Sequence, residues 1–198
     1  MDKMKNGAVL RNGTQRTAKE VFEKYAIVIA FLALLIVVSI LCSSFLTPSN
    51  LILVLNQTSI NGILAVGITY VLITAGIDIS IGSVVGLSGV ISAMVVKAGA
   101  PLPVGFLCGI LAGTLVGVII GILVTKGKLA PYIVTLGFLT IIRGAALLIA
   151  GGRPISSLGD AYGWIGNHNV FGVIPCPVII FLIVVVIGHI ILAHLQIG

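Results

Sequence analysis

Charge is what this sequence has least of. Asp, Glu, Lys and Arg make up 8% of its 198 residues, 59% are hydrophobic, and the mean hydropathy is +1.27. A soluble domain carries about 25% charged residues. The chain therefore lacks the polar surface that water requires. Catalytic signatures are missing as well. Gly121–Lys128 reads GILVTKGK, with five residues between the glycines and Leu129 after the last lysine. A phosphate-binding loop needs four residues there, and then Gly-Lys-Ser/Thr. HExxH and GxSxG do not occur, and neither does CxxC or a Cys/His metal spacing. No catalytic residue, metal or cofactor is expected. Of the three cysteines, Cys42 and Cys108 lie inside apolar runs and read as buried, inert thiols.

The few charges are segregated. Of eleven basic and five acidic residues, nine lie in the first 24 positions: Asp2, Lys3, Lys5, Arg11, Arg16, Lys19, Glu20, Glu23 and Lys24. The remaining chain holds Asp78, Lys97, Lys126, Lys128, Arg143, Arg153 and Asp160. A net charge of +6 suggests nucleic acid at first sight. That reading fails, because the basic residues sit in short loops between apolar runs, as membrane orientation alone requires.

A helix crosses a bilayer core with about 20 apolar residues. The sequence predicts six such runs: Tyr25–Phe45, Leu51–Thr74, a third from near Asp78 to about Val96, Val104–Thr125, Tyr132–Ala150 and Val178–Leu195. Barrel strands would alternate apolar and polar over about 10 residues, and these runs are apolar all round. The fold class is thus all-α, a polytopic transmembrane bundle, with a basic tail at 1–24 and a transmembrane domain at 25–198. The 21-residue first run is too long for a cleaved signal. Six basic residues in the tail and two after the fourth run oppose Lys97 and Arg153, which places both ends in the cytoplasm. If the second run failed to cross, Lys126 and Lys128 would lie outside, against that rule.

Within the spans, four features could carry work. Gly105, Gly109, Gly113, Gly117 and Gly121 form successive GxxxG steps on one helix face. Lipid gives helices no hydrophobic drive to associate, so a glycine face lets backbones pack closely. Asp78 lies between Gly76 and Gly82 in a short, interrupted segment of the kind that forms transport sites. The alternative is an interfacial helix cap, with Ser80 helping. Arg143 interrupts the fifth run. Ten Leu, Ile, Val and Phe residues at roughly −0.5 kcal/mol each outweigh about +3 for the arginine, so insertion survives. Its guanidinium should anchor on a carboxylate or on helix-end carbonyls; the alternative is substrate contact. Asn56, Gln57, Thr58, Ser59 and Asn61 form a polar cluster, either a pathway lining or a helix break. Amide and hydroxyl groups both donate and accept, which suits sugar hydroxyls. His168, His189 and His194 lack partners at useful spacing.

The motif residues resemble a known family. Asn61-Gly62-Ile63-Leu64-Ala65-Val66-Gly67-Ile68-Thr69 leads into Leu72-Ile73-Thr74-Ala75-Gly76-Ile77-Asp78-Ile79-Ser80-Ile81-Gly82-Ser83. Thr125-Lys126-Gly127-Lys128, Pro131-Tyr132-Ile133-Val134-Thr135-Leu136-Gly137, Ile142-Arg143-Gly144 and Gly152-Arg153-Pro154-Ile155 follow in order, and Phe45-Leu46-Thr47-Pro48-Ser49-Asn50-Leu51 precedes them. Together they resemble permease subunits of the ribose-type sugar ABC importers, which include ribose, xylose, galactose, arabinose and autoinducer-2 permeases. The resemblance implies a second permease subunit, ATP-binding subunits beneath the pore and an extracytoplasmic sugar-binding protein, in a bacterial inner membrane. It implies alternating access, with Asp78 and the Asn56–Asn61 cluster at signature positions lining or bracing the pathway. Family members continue past a sixth span with a segment that docks on the ATP-binding subunit. The chain ends at Gly198, where that segment would begin, so by resemblance it reads as the N-terminal part of a larger permease fold. Other readings are a truncated, non-transporting fragment, a small structural or assembly membrane protein, a membrane enzyme, or a secondary transporter. An enzyme lacks its motif. A secondary transporter would carry more intramembrane ionisable groups than Asp78 and Arg143.

Overall fold

Inside a bilayer no water is available to the backbone, so every N–H and C=O needs a partner within the chain. The apolar runs answer this by forming helices. The computed structural model describes residues 23–170, 172 and 174–194. The elements are α1 (Glu23–Leu41), α2 (Pro48–Ile73), α3 (Ile81–Lys97), α4 (Leu102–Thr125), α5 (Pro131–Ile149), α6 (Asp160–Asn167), the two-residue strands β1 (Asn169–Val170) and β2 (Ile174–Pro175), and α7 (Cys176–His194). Helices α1, α2, α4, α5 and α7 are long and apolar enough to cross a membrane, and α3 is a shorter apolar helix of 17 residues. The chain is an all-α, multi-pass membrane protein. The basic tail lies outside the described residues except for Glu23 and Lys24, the first described residues of α1.

Two compact units divide the chain, residues 1–53 and 54–198, with the boundary inside α2. In the first unit α1 stops at Leu41, short of the expected Phe45. The Asn50 amide donates to the Phe45 carbonyl at 2.7 Å, and the Thr47 hydroxyl donates to the Ser44 carbonyl at 2.7 Å, which holds a turn there. Pro48 then occupies the first helical position, where its missing N–H is not needed. Cys42 is exposed at this turn and Cys108 is half-buried, against the expectation of buried thiols.

In the second unit α3 is held between α4 and α5. Leu87 of α3, Val116 and Ile120 of α4, and Val134 and Ile142 of α5 form the buried apolar cluster. The glycine face of α4 meets α3 over half its length. A Cβ at Gly105 would collide with Val96; at Gly109 it would sit 2.8 Å from the Ser88 carbonyl oxygen; at Gly113, 2.8 Å from the Ser88 hydroxyl. Gly117 and Gly121 have nothing within 4 Å of such a Cβ among the described residues, so they lie beyond this contact. On its other side α3 is tied to α5 through the Ser83 hydroxyl, which donates to the Leu139 carbonyl at 2.9 Å. Helix α7 meets the far end of α2: Tyr70 donates to the Gly188 carbonyl at 2.7 Å, and the Phe181 ring covers Gly62.

The connection between α5 and α7 holds more structure than the mixed polarity of the sequence suggests. It contains α6 and an antiparallel pair with Asn169 opposite Pro175 and Val170 opposite Ile174. The turn from α4 to α5 is equally defined. The Gly127 N–H donates to the Ile122 carbonyl at 3.1 Å, Lys128 takes φ +53°, and a Cβ at Gly127 would strike the Leu123 carbonyl.

The split glycine face makes a prediction. Overpacking a tight contact costs about 1–3 kcal/mol. Gly109→Leu and Gly113→Leu should each lower the unfolding free energy by that amount in a detergent–SDS titration. Gly117→Leu should stay within about 0.5 kcal/mol of the parent. Equal losses at all three positions would contradict the split.

Candidate functional site

The segment between α2 and α3 carries most of the signature residues. Helix α2 closes with the Gly76 N–H donating to the Val71 carbonyl at 2.9 Å and the Ala75 N–H to the Leu72 carbonyl at 3.0 Å, a Schellman-type ending. Ala75 takes the left-handed conformation, φ +56°, which a Cβ makes costly. Gly76 follows because a Cβ there would lie 3.0 Å from the Val71 side chain and 3.1 Å from its carbonyl oxygen.

Asp78 comes next, half-buried and outside both helices. One carboxylate oxygen, Oδ1, accepts from the Ser80 N–H at 2.8 Å and from the Ser80 hydroxyl at 2.6 Å. Ser80 is fully buried, at 0% exposure, and is the N-cap of α3. Its carbonyl accepts the first helical bonds from Ser83 at 2.8 Å and Val84 at 3.0 Å. A carboxylate at a helix N-terminus also meets the positive end of the helix dipole. Thr135, 1% exposed, donates from α5 to the Ile77 carbonyl at 3.3 Å. Thr135 and Ser83 therefore clamp both ends of the segment onto α5. The sequence marked Gly76, Asp78 and Ser80 but not these two hydroxyls; both stand within the quoted motif runs.

The polar cluster of α2 sits elsewhere. Helix α2 runs unbroken from Pro48 to Ile73, so the helix-break reading of the cluster does not hold. The backbone satisfies itself there, and Ser59 returns its hydroxyl to the Leu55 carbonyl at 2.7 Å. The Asn56 amide nitrogen donates to the Gly166 carbonyl of α6 at 3.0 Å, while its Oδ1 is buried without a partner among the described residues. Gln57, Thr58 and Asn61 are exposed. Asn56 and Ile73 are 17 positions apart, about 26 Å of helix at 1.5 Å per residue. The cluster and Asp78 thus lie toward opposite ends of α2 and form no common site.

Helix α6 joins the cluster to α3 and α4. Tyr162 reaches the Gly89 carbonyl of α3 at 3.4 Å, and its ring lies 5.7 Å from that of Phe106 on α4. Tyr162 borders two cavities. One, of about 480 Å³ between α3 and α4, includes Ser88, Ser92, Phe106 and Thr114. Ser92 is 4% exposed and its hydroxyl has no partner among the described residues. The other, of about 690 Å³ between α3 and α5, includes Arg143 and Arg153. Arg143 is exposed and makes no hydrogen bond or ion pair among the described residues. The expected carboxylate or helix-end carbonyl is not found there. The reason is position: Arg143 stands six residues before the end of α5 and faces the cavity. No group of three His, Cys, Asp or Glu among the described residues could hold a metal ion. His168 stacks on Trp164 at 4.4 Å, and the His194 ring meets the Ile190 carbonyl at 3.1 Å.

Replacing Asp78 separates geometry from charge. A hydrogen bond to a charged group contributes about 1.5–3 kcal/mol. Asp78→Ala should lose roughly that amount in SDS unfolding. Asp78→Asn, which keeps an acceptor oxygen for Ser80, should lose about half as much. Ala75→Gly should gain up to about 1 kcal/mol by relieving the left-handed backbone. A stable Asp78→Ala variant would sink this account of the segment.

Comparison with known proteins adds the following. Residues 50–198 match the family described as branched-chain amino acid transport system / permease component. The chain is 40% identical over 179 residues to a ribose import permease protein of Bacillus subtilis, covering 90% of this chain and 56% of that one. It is 35% identical over 174 residues to the ribose import permease protein of Escherichia coli K12, covering 86% and 54%. It is 32% identical over 182 residues to the D-allose transport system permease protein of the same strain, covering 89% and 55%. The chain spans about half the length of these curated relatives. No solved structure matches.

Proposed function

Since the chain belongs to the family of branched-chain amino acid transport system / permease components, we propose that it forms part of the membrane pathway of an ATP-powered importer for a monosaccharide of the ribose class. The family description names amino acids, but the relatives quoted above are named for ribose and allose. The 40% identity to a ribose import permease over 90% of this chain carries the choice of a sugar. The chemistry of α2 agrees. Gln57, Thr58 and Asn61 are exposed donors and acceptors clustered on a mainly apolar helix, and the Asn56 oxygen, unpartnered among the described residues, adds an acceptor.

The chain contains no nucleotide-binding motif, so ATP hydrolysis falls to separate ATP-binding subunits. A second permease subunit completes the pore, and an extracytoplasmic sugar-binding protein delivers the substrate. The Lys and Arg count orients the N-terminal tail, residues 1–24, toward the cytoplasm of a bacterial inner membrane. Residues 25–198 form the membrane domain. Asp78 then lies at the cytoplasmic end of α3. Its role is to brace the start of that helix through Ser80, while the Asn56–Asn61 cluster lines the pathway nearer the outer face.

Radiolabelled ribose uptake tests the reading, in cells lacking their own ribose importer and supplied with this chain and its partner subunits. Uptake should require the ATP-binding subunits and should be inhibited by allose more than by leucine. Uptake of leucine with none of ribose would overturn the sugar assignment. Asp78→Leu should reduce uptake about tenfold, the effect of roughly 1.4 kcal/mol, while the protein still inserts. Parent-level uptake in that variant would leave Asp78 as a helix brace with no bearing on transport.

A further inference from the structure

We propose that the cavity between α3 and α5 is a binding site for an anionic phospholipid, with Arg143 and Arg153 on its phosphate and the small-residue face of α3 under an acyl chain. Two arginines border this cavity, and none of its lining residues is acidic. Arg143 has no partner among the described residues. An arginine within a membrane-spanning helix demands an anion or water, because leaving it bare in hydrocarbon costs about 2.5–3.5 kcal/mol even on the mildest scale.

Depth along α5 makes a headgroup reachable. Arg143 stands six residues before Ile149, about 9 Å of helix axis. A long basic side chain near a helix end extends toward the interface. Arg153 lies four positions beyond that end, on the exposed turn set by Gly151 at φ +64° and Gly152 at φ +67°. Both guanidinium groups thus serve the same end of the unit.

The apolar part of the cavity distinguishes a lipid from a free anion. Gly82, Gly86, Gly89 and Ala93 follow one face of α3 at helical spacing and border the cavity. A Cβ at Gly82, Gly86 or Gly89 would meet nothing within 4 Å, so this floor is open. The open stretch from Gly82 to Gly89 runs for about 10 Å, from seven positions at 1.5 Å each, and buried Ala93 closes its far end. Leu147 and Ile155 form apolar walls. A protein carboxylate would pair with the arginines and leave this furrow empty. A phospholipid fills both parts at once, and basic pockets between transmembrane helices recognise lipid headgroups by this chemistry.

The test uses the protein purified in detergent with whatever partner subunits copurify. Phosphatidylglycerol and phosphatidylcholine of identical acyl chains are titrated, with retained lipid counted by native mass spectrometry. One phosphatidylglycerol should be retained in preference to phosphatidylcholine, and millimolar inorganic phosphate should not displace it. R153Q lies outside the helix and should weaken retention about fivefold, as expected for one basic residue near a lipid surface. R143Q/R153Q should abolish the preference, R143K/R153K should keep most of it, and K126Q/K128Q at the opposite end of α4 should leave it unchanged. Equal retention of the two lipids, or undiminished preference in R143Q/R153Q, overturns the proposal. So does displacement by phosphate, which would make this a plain anion site, or an empty parent protein whose arginines cross-link to a carboxylate of another subunit.

Discussion

The close approach of α4 to α3 is the contact on which the 54–198 unit depends. A bilayer provides no hydrophobic drive for helix association, so packing and interhelical hydrogen bonds must hold the spans together. Glycines 105, 109 and 113 bring the α4 backbone against Ser88, Ser92 and Val96. That leaves α3 free to present its opposite side to α5, where Ser83 and Thr135 supply the hydrogen bonds. The 17-residue α3 is the shortest apolar helix, and its start is fixed by Asp78 through Ser80. Packing on one face, hydroxyl clamps on the other and a carboxylate at the end together set its position.

The same arrangement accounts for the open furrow beside it. Where α3 meets α4, its small residues are covered. Where it passes α5 they are not, and Gly82, Gly86 and Gly89 stay clear of neighbours. Small residues along one helix thus serve two ends: close packing on one side and an accessible apolar floor on the other. Helix α6 rests at the junction, with Tyr162 bordering both cavities and Asn56 holding Gly166.

Much of this was legible in the sequence, because apolar length and glycine spacing are local signals. The spans of α2, α4, α5 and α7 were readable within a few residues, and so was the break around Gly76. What was not legible depends on tertiary contacts. Helix α6 has eight residues, with Gly163 and Gly166 among them, and is held by Asn56 from 110 positions away and by the Phe106 ring. No periodicity encodes that. The glycine face looked uniform from Gly105 to Gly121, yet only a neighbouring helix decides which part is covered. Arg143 was expected to anchor on a carboxylate or on helix-end carbonyls, and only the fold shows that it borders a cavity instead. The polar cluster read equally as a pathway lining or a helix break, and only the unbroken α2 decides against the break.

Family membership places this chain among permease components, and the α3–α4 contact says how its membrane part is built. That contact can be read directly by cross-linking in native membranes. With Cys42, Cys108 and Cys176 replaced by alanine, cysteines are placed at Ser88 and Gly113, where a Cβ on residue 113 lies 2.8 Å from the Ser88 hydroxyl. Disulfides form when Cβ atoms stand about 3.5–4.5 Å apart. The structure predicts rapid oxidation of the Ser88→Cys/Gly113→Cys pair and none for Ser88→Cys/Gly117→Cys. Oxidation at Gly117 with none at Gly113 would place α3 on a different part of the glycine face and contradict the packing described.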